Sequence, residues 1–479
     1  MFTQHILALS GLAATALFLL SLKRMSSPTT ALSGIVVAGV GMVIAVLASF
    51  LEILHLPVAA RPHLPLNLSL AAIALLAGSA GAAWAGRKVA ITAMPQMVAL
   101  FNGMGAGAAA AIAAVELSAH AGQSAALLTV TVAGAVIGSI SLTGSVIAWA
   151  KLDGRITKPW RFPGQRVVNA LLFASALALG IAVVASYGGP GSPLLVVVFF
   201  LSALCFGVMM TLPIGGADMP VVISLYNAFT GLAVALEGYA LQNPALMVAG
   251  MGVGSAGTLL TVLMAKAMNR SLANVLFSNF GEVAAAGGAN VHGQMKSIDA
   301  GDAGINMRYA SSVIIIPGYG LAVAQAQHKL YELVKLLQEA GVDVKFASHP
   351  VAGRMPGHMD VLLAEAGVPY DLICDMEDIN GDFAKTDVAL VIGANDIVNP
   401  AARTDKSSPI YGMPILNADQ ARQVYVVKRG QGKGYSGVEN LLFYEETCSM
   451  VYGDAQAVLT RMVQAVKDLE TPTQTKKAA

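Results

Sequence analysis

Only sixteen of the fifty-seven charged residues in this 479-residue chain fall before residue 268, so its two halves want different solvents. A stretch of that length with so little charge holds far more apolar side chain than a water-soluble core can enclose. Over the whole chain 56 % of residues are apolar and 12 % charged, which points to a membrane protein rather than one large soluble domain. A net charge of +1, with no basic stripe interleaved with aromatics, argues against a nucleic-acid partner. The three cysteines, Cys205, Cys374 and Cys448, are scattered and odd in number. They indicate neither a disulfide framework nor a zinc site.

Crossing about 30 Å of hydrocarbon takes roughly 20 apolar residues at 1.5 Å each. Segments near 5–22, 31–53, 65–86, 95–118, 124–149, 166–186, 193–212, 218–241 and 244–266 meet that requirement. They predict a membrane α-helical bundle of about nine transmembrane helices over residues 1–268. Lys23-Arg24 follows the first segment where a cleaved signal would carry small residues, so that helix is read as retained. Lys and Arg gather after the first, third, fifth and ninth segments, and the opposite side holds only Arg61. Positive loops stay in the cytoplasm. The N-terminus is therefore expected in the periplasm and the C-terminal half in the cytoplasm.

Glycines recur at four-residue spacing, as Gly103/Gly107, Gly134/Gly138 and Gly250/Gly254, a pattern that lets helix backbones approach closely. Polar groups inside spans are more informative, because leaving one unpaired in lipid is costly. Asn102 and Asn227 fall at matched depth, about 10–14 Å below the cytoplasmic surface. They either hold a water chain between helices or make a plain helix–helix hydrogen bond. Glu52, His55, Glu116, His120 and Glu237 lie near outer helix ends, where charge is tolerated, and read as wet helix ends rather than a proton funnel. Asp218 differs. It stands in Pro213-Ile214-Gly215-Gly216-Ala217-Asp218-Met219-Pro220, two glycines bracketed by prolines, a hinge whose acid faces the soluble half.

Residues 269–304 include Ala284-Ala285-Ala286-Gly287-Gly288 and show no sustained period, the composition of a flexible tether. Over residues 305–479, strands near 312–316, 342–347, 371–374, 387–392, 423–428 and 448–452 alternate with helices near 321–340, 357–366 and 454–468. This rhythm predicts an α/β doubly wound, Rossmann-like domain that binds its ligand at the C-terminal edge of a parallel sheet. Gly318-Tyr319-Gly320 follows the first of these strands and opens a helix, so backbone can approach a pyrophosphate. Val323 stands where the fingerprint's third small residue would be.

The second strand runs into Ser348-His349-Pro350, with no acid for a ribose 2′-hydroxyl. Lys428-Arg429 instead closes the fifth strand, beside a glycine-rich run from Gly430 to Gly437. Two cations with exposed amides suit an extra phosphate, so NADP is favoured over NAD. Asn395 and Asp396, in Gly393-Ala394-Asn395-Asp396, lie on the same sheet edge and either orient a nicotinamide, face a partner or form an Asx-turn. No nucleophile-and-base set stands out.

Taken in order, Gly215 to Pro220, Pro317-Gly318-Tyr319-Gly320, His349 to His358, Gly393 to Asp396, and Lys428-Arg429 with Gly434-Tyr435 carry a resemblance over essentially the whole chain. It resembles the β subunit of the proton-translocating nicotinamide nucleotide transhydrogenase. The resemblance implies an NADP(H)-binding head on a proton-conducting domain in the lipid of a bacterial inner membrane. A partner, the NAD(H)-binding alpha subunit, would pass hydride from NADH directly to NADP⁺ as protons move inward, in a dimer of heteromers. It implies that NADP is surrounded by Gly318, Tyr319 and Gly320 and by the loop Val351, Ala352, Gly353, Arg354, Met355 and Pro356. Gly393, Ala394, Asn395, Asp396 and Ile397 would add to it, with Gly412, Met413, Asp454 and Ala455. The segment Lys428, Arg429, Gly430, Gln431, Gly432, Lys433, Gly434 and Tyr435 would complete it. Lys428 and Arg429 would hold the 2′-phosphate, Tyr435 would sit on a lid, and Asp396 would lie near the nicotinamide and the proton linkage.

Asp218 and Asn227 match positions tied to coupling. Asn102 stands where some members carry a histidine thought to take the proton. An amide does not titrate near pH 7, so the ionisable carrier is expected elsewhere, with a partner's helices as one place for it. Gly430 replaces a serine that often follows the Lys-Arg pair, which removes one hydroxyl from the phosphate site. The alternative is a secondary transporter whose cytoplasmic domain senses NADP(H).

Overall fold

The structure is a computed structural model, and it describes residues 2–25, 27–55, 57, 61–119, 124–186, 192–215, 218–269, 294–355, 357–408, 410–430, 432, 434 and 436–470. The chain separates into two compact units, Met1–Ile214 with Val222–Thr261, and Gly215–Val221 with Val262–Ala479.

The first unit is helical, with the first three residues of α8 and the last six of α9 grouped in the second. Its helices are α1 (Phe2–Met25), α2 (Pro28–His55), α3 (Leu64–Lys88), α4 (Met94–Ala119), α5 (Ala125–Leu152), α6 (Gln165–Ala185), α7 (Pro193–Thr211), α8 (Met219–Ala240) and α9 (Pro244–Ala267). Each matches one of the expected segments. Among the described residues, α2 to α9 are eight helices long and apolar enough to cross a membrane. The shortest, α7, has 19 residues, roughly 28 Å at 1.5 Å per residue, which just covers the hydrocarbon. Many large apolar side chains face outward, Leu32, Leu76 and Ile181 among them, and α3 buries no residue at all. Such a surface suits lipid, not water.

Glycine is what lets these helices close on one another. A Cβ on Gly250 would strike the backbone of Ala235, and one on Gly231 would lie 2.7 Å from Gly254 Cα, so α8 and α9 touch backbone to backbone. Gly138 abuts Ala106 and Ala110 across α4–α5, and Gly103 abuts Ser145. All three expected glycine pairs therefore have a member at a helix contact. Van der Waals contact of this kind is the main attraction between helices in lipid.

The second unit holds a seven-stranded sheet in the order β1-β7-β6-β5-β2-β3-β4. The strands are β1 (Lys296–Ser297), β2 (Ser312–Pro317), β3 (Asp343–Ser348), β4 (Ile373–Asp375), β5 (Val388–Ile392), β6 (Gln423–Lys428) and β7 (Cys448–Tyr452). Every pairing is parallel. The strands are apolar runs, and β5 is buried throughout, as a sheet covered on both faces requires. Six strands lie where the alternation put them; β1, two residues at the sheet edge, was not foreseen.

Two stretches differ from the expected layout. Residues 296–304, read as the end of the tether, contain β1 and most of the helix Ala300–Arg308, while 270–293 lie outside the described residues. Asp299 caps that helix through Gly301 N–H at 2.7 Å, a start signal that a composition-based reading overlooks. The helix expected at 321–340 is two helices, Tyr319–Val323 and Gln327–Glu339. Gln325 takes φ +50°, and Ala326 N–H reaches back to Leu321 O, the bond of a Schellman cap.

Candidate nucleotide-binding site

Strand order reverses between β2 and β5, and open α/β sheets bind ligands at that point, beyond the C-terminal strand ends. Here the two loops leaving the sheet are joined. Gly318 N–H donates to Ile392 O at 2.8 Å, and Gly320 N–H donates to Gly393 O at 3.0 Å. A Cβ on Gly320 would lie 2.6 Å from Gly393 Cα, and one on Gly318 would lie 2.6 Å from Ala394 N. Gly393 itself has φ +68°, a left-handed conformation that suits glycine. Three glycines from two distant loops thus make one bare backbone floor.

Over that floor lies a cavity of about 420 Å³, lined by Tyr319, Gly320, Val351, Ala352, Gly353, Gly393, Ala394, Asn395, Asp396, Ile397, Val427, Lys428, Arg429, Gly434, Gly453 and Ala455. Fourteen of these sixteen were named from the sequence; Val427 and Gly453 were not. Gly453 follows β7, and a Cβ there would lie 2.8 Å from Val458. A glycine between a strand and a capped helix was the signal that could have found it. Asp454 provides that cap, accepting from Gln456 N–H at 3.1 Å, so the N-terminus of the helix Ala455–Glu470 opens on the cavity.

Other expected residues stand behind the lining. Gly318 forms part of the floor. The Arg354 guanidinium stacks on the Tyr319 ring at 4.3 Å, and Met355 is buried. Asp454 meets Arg429 at 3.8 Å. Gly430 and Gly432 are exposed and do not line the cavity. Gly412 and Met413 do not line it either: Met413 belongs to a separate apolar cluster with Ala401, Ala402, Ile410 and Ile415. Pro356, Gln431, Lys433 and Tyr435 lie outside the described residues, as do His120, Gly216 and Ala217.

The polar groups are firmly held. Asp396 accepts from Ser436 N–H at 3.0 Å and from Ser436 Oγ at 2.8 Å, which binds the segment after the glycine run to the β5 loop. Asn440 Nδ2 donates to both Asn395 O and Asn395 Oδ1 at 3.0 Å. Asn395 Nδ2, in contrast, is a buried donor with no partner among the described residues, and it belongs to a residue that lines the cavity. Lys428 Nζ donates to Gly432 O, and burial lowers its pKa from the ordinary lysine value against an opposing pull from Asp396.

Two histidines brace the loop Val351–Met355. His349 Nδ1 accepts from Val351 N–H at 3.2 Å while its Nε2 meets Pro414 O at 3.0 Å, so the ring is neutral with its proton on Nε2. Burial pushes His349 down to about 4. His358 Nδ1 accepts from Arg354 N–H at 3.1 Å, and burial, then the Arg354 charge, lowers it too. At the end of β3 the carboxyl of Asp360 accepts from Ser348 Oγ at 2.5 Å and does not line the cavity.

Elsewhere, Asp218 is buried just ahead of α8 and falls in the segment grouped with the second unit. Asn102 Nδ2 donates to Ser145 Oγ at 2.9 Å, a hydrogen bond between α4 and α5. Gly105 and Thr230 face each other across α4–α8. Each is three residues beyond its asparagine, which puts Asn102 and Asn227 at one level.

The sequence matches the family described as NAD(P) transhydrogenase beta subunit over residues 7–465. It is also similar to two curated proteins from Rhodospirillum rubrum, one from a named strain, both called NAD(P) transhydrogenase subunit beta. Each is 43 % identical over 500 aligned positions, covering 97 % of this chain and 100 % of the relative.

Proposed function

Since this chain belongs to the NAD(P) transhydrogenase beta subunit family, we propose that its cleft takes NADP(H) and that its helical unit conducts protons. As such a subunit the chain is a component of an oxidoreductase and, with its apolar helices, a multi-pass membrane protein. One observation carries the cofactor reading: Lys428 and Arg429 border the cavity at the end of β6, while among the described residues no carboxyl lines it from the end of β3. An acid there would select a ribose 2′-hydroxyl, and cations select its phosphate.

The residues present fit that ligand. Gly318, Gly320 and Gly393 leave room for a pyrophosphate on backbone amides, helped by the N-terminus at Ala455. Lys428 and Arg429 hold the 2′-phosphate, and Asn395 Nδ2 offers its free hydrogen to an acceptor on the ligand. Asp396, fixed by Ser436, keeps the segment after the glycine run over the cleft. NADP(H), when bound, takes or gives a hydride at its nicotinamide. Transfer between two rings in near-contact depends on positioning rather than on an acid–base residue.

In this reading NADH is held by an NAD(H)-binding alpha subunit, in a dimer of heteromers. Hydride passes to NADP⁺ as protons move inward across a bacterial inner membrane, with the N-terminus periplasmic and the head cytoplasmic. Coupling requires that protonation change the head's relative affinity for NADP⁺ and NADPH, because a ligand bound equally in both states shifts nothing. Asp218 and the linker are the proposed links, and Asn102 and Asn227 are the amides proposed to hold a water chain between helices. Family membership favours this over the transporter with a sensing domain. The two separate by experiment: purified chain with its NAD(H)-binding partner in liposomes reduces an NADP⁺ analogue from NADH, faster under an inward proton gradient. NADPH binding without any reduction would favour the sensor.

A further inference from the structure

We propose that Glu237 is a proton-binding group of the helical bundle, the ionisable site that Asn102 cannot provide; this rests on the proton-conducting reading above. Glu237 lies one turn before the end of α8, at the opposite end from Asp218. It was expected at a wet helix end, yet its side chain is 0 % exposed. Neither Oε1 nor Oε2 has a hydrogen-bond partner among the described residues. Oε1 rests on Gly134 of α5, where a Cβ would have no room. That glycine is therefore the recess into which the carboxyl fits.

The charges around this recess decide what it holds. Among the described residues, the charged group that acts on Glu237 is another carboxyl, Glu116 of α4. Helices α5 and α9 carry one charged residue each, Lys151 and Lys266, both at the far ends, and α7 carries none. Lys151 is already engaged, donating to the carbonyls of Thr211, Leu212 and Ile214. Among the described residues no cation acts on this buried carboxyl beside a second acid, and such a group is stable only when something positive neutralises it. The recess is closed by glycine, and among the described residues no group of three or more His, Cys, Asp or Glu side chains could hold a metal ion. A single proton is the cation that fits.

Farther along the same stripe of α8, beyond Ala233 and Val234, polar groups resume at Thr230 and Tyr226, seven and eleven residues before Glu237. Ser141 Oγ of α5 meets Thr230 Oγ1 at 2.7 Å and Tyr226 O at 2.9 Å. Tyr226 OH meets Thr211 Oγ1 of α7 at 2.5 Å. The stripe runs about 16 Å at 1.5 Å per residue, toward the Asp218 end. A proton arriving from the α8–α9 end binds one Glu237 oxygen as a carboxyl O–H. It leaves toward this stripe, and the carboxylate is restored.

The test uses the full complex with its NAD(H)-binding partner in liposomes, comparing wild type, Glu237→Gln and Glu237→Asp. The isosteric amide keeps NADPH binding but cuts proton translocation at least tenfold; the shorter acid restores part of it with a shifted pH profile. Infrared spectra of the wild type show a protonated-carboxyl band that is missing in Glu237→Gln. Proton translocation at the wild-type rate in Glu237→Gln overturns the proposal and leaves the subunit's proposed function standing. A wild type that reduces NADP⁺ and moves no protons overturns both. Should the amide variant fail to assemble, an unchanged pH profile in Glu237→Asp overturns the proposal and a displaced one supports it.

Discussion

Gly393 faces Gly320 across a gap with no space for a methyl group, and its backbone is left-handed as well. Replacement by alanine adds strain and collision, about 2 kcal/mol or more together. Gly393→Ala is therefore expected to weaken NADPH binding at least tenfold, measured by titration of nucleotide fluorescence; unchanged affinity would remove the glycine floor from the argument. His349 makes a pH prediction. Its folded value of about 4 lies below the ordinary histidine value near 6.5, so the unfolded chain takes up that proton first as pH falls. Stability is intact above about pH 6.5 and declines toward about pH 4, by at most about 3 kcal/mol. Chemical denaturation of the head at pH 7 and pH 5 measures it, and His349→Asn should flatten the difference. At this scale the glycine turns, Asn395-Asp396 and Lys428-Arg429 were legible as residues at strand ends, whereas Val351 to Gly353, Ile397 and Ala455 came only from the family resemblance. Nothing in the sequence hinted that Asn395 keeps a free donor or that Glu237 is enclosed. Both depend on what other elements bring near.

Helices and strands were readable wherever their signal is local. Nine apolar runs became nine helices among the described residues because span length and hydropathy are sums over adjacent residues. The break at Gln325 was missed, since glutamine is an unusual choice for a left-handed cap position and carries no punctuation of its own. Lys151 shows what an element gains from a distant side chain. Its ammonium satisfies the carbonyls of Thr211, Leu212 and Ile214 at 2.9, 2.6 and 2.6 Å, the open end of α7. Lys151→Met leaves three carbonyls without their cationic donor, at a cost of about 2 kcal/mol. The expected result is a lower thermal midpoint in detergent with nucleotide affinity unchanged. An unaltered midpoint would mean that this cap contributes nothing.

For the whole molecule, selectivity of the head is the sharpest test. A fragment spanning residues 294–479 contains all seven strands and is expected to bind NADPH at least tenfold more tightly than NADH. Lys428→Met should erase most of that preference while leaving NADH binding alone; equal affinities in the unaltered fragment would sink the cofactor reading. The sequence by itself determined which solvent each half requires and that a parallel α/β sheet follows a helical body. These are properties of composition and period, which accumulate along the chain. Only the tertiary structure decided that the loops after Pro317 and Ile392 share one floor, and that Gly134 opens a recess for Glu237. Those contacts join residues 75 and 103 positions apart, and their geometry follows from strand order and helix packing, which no local pattern encodes.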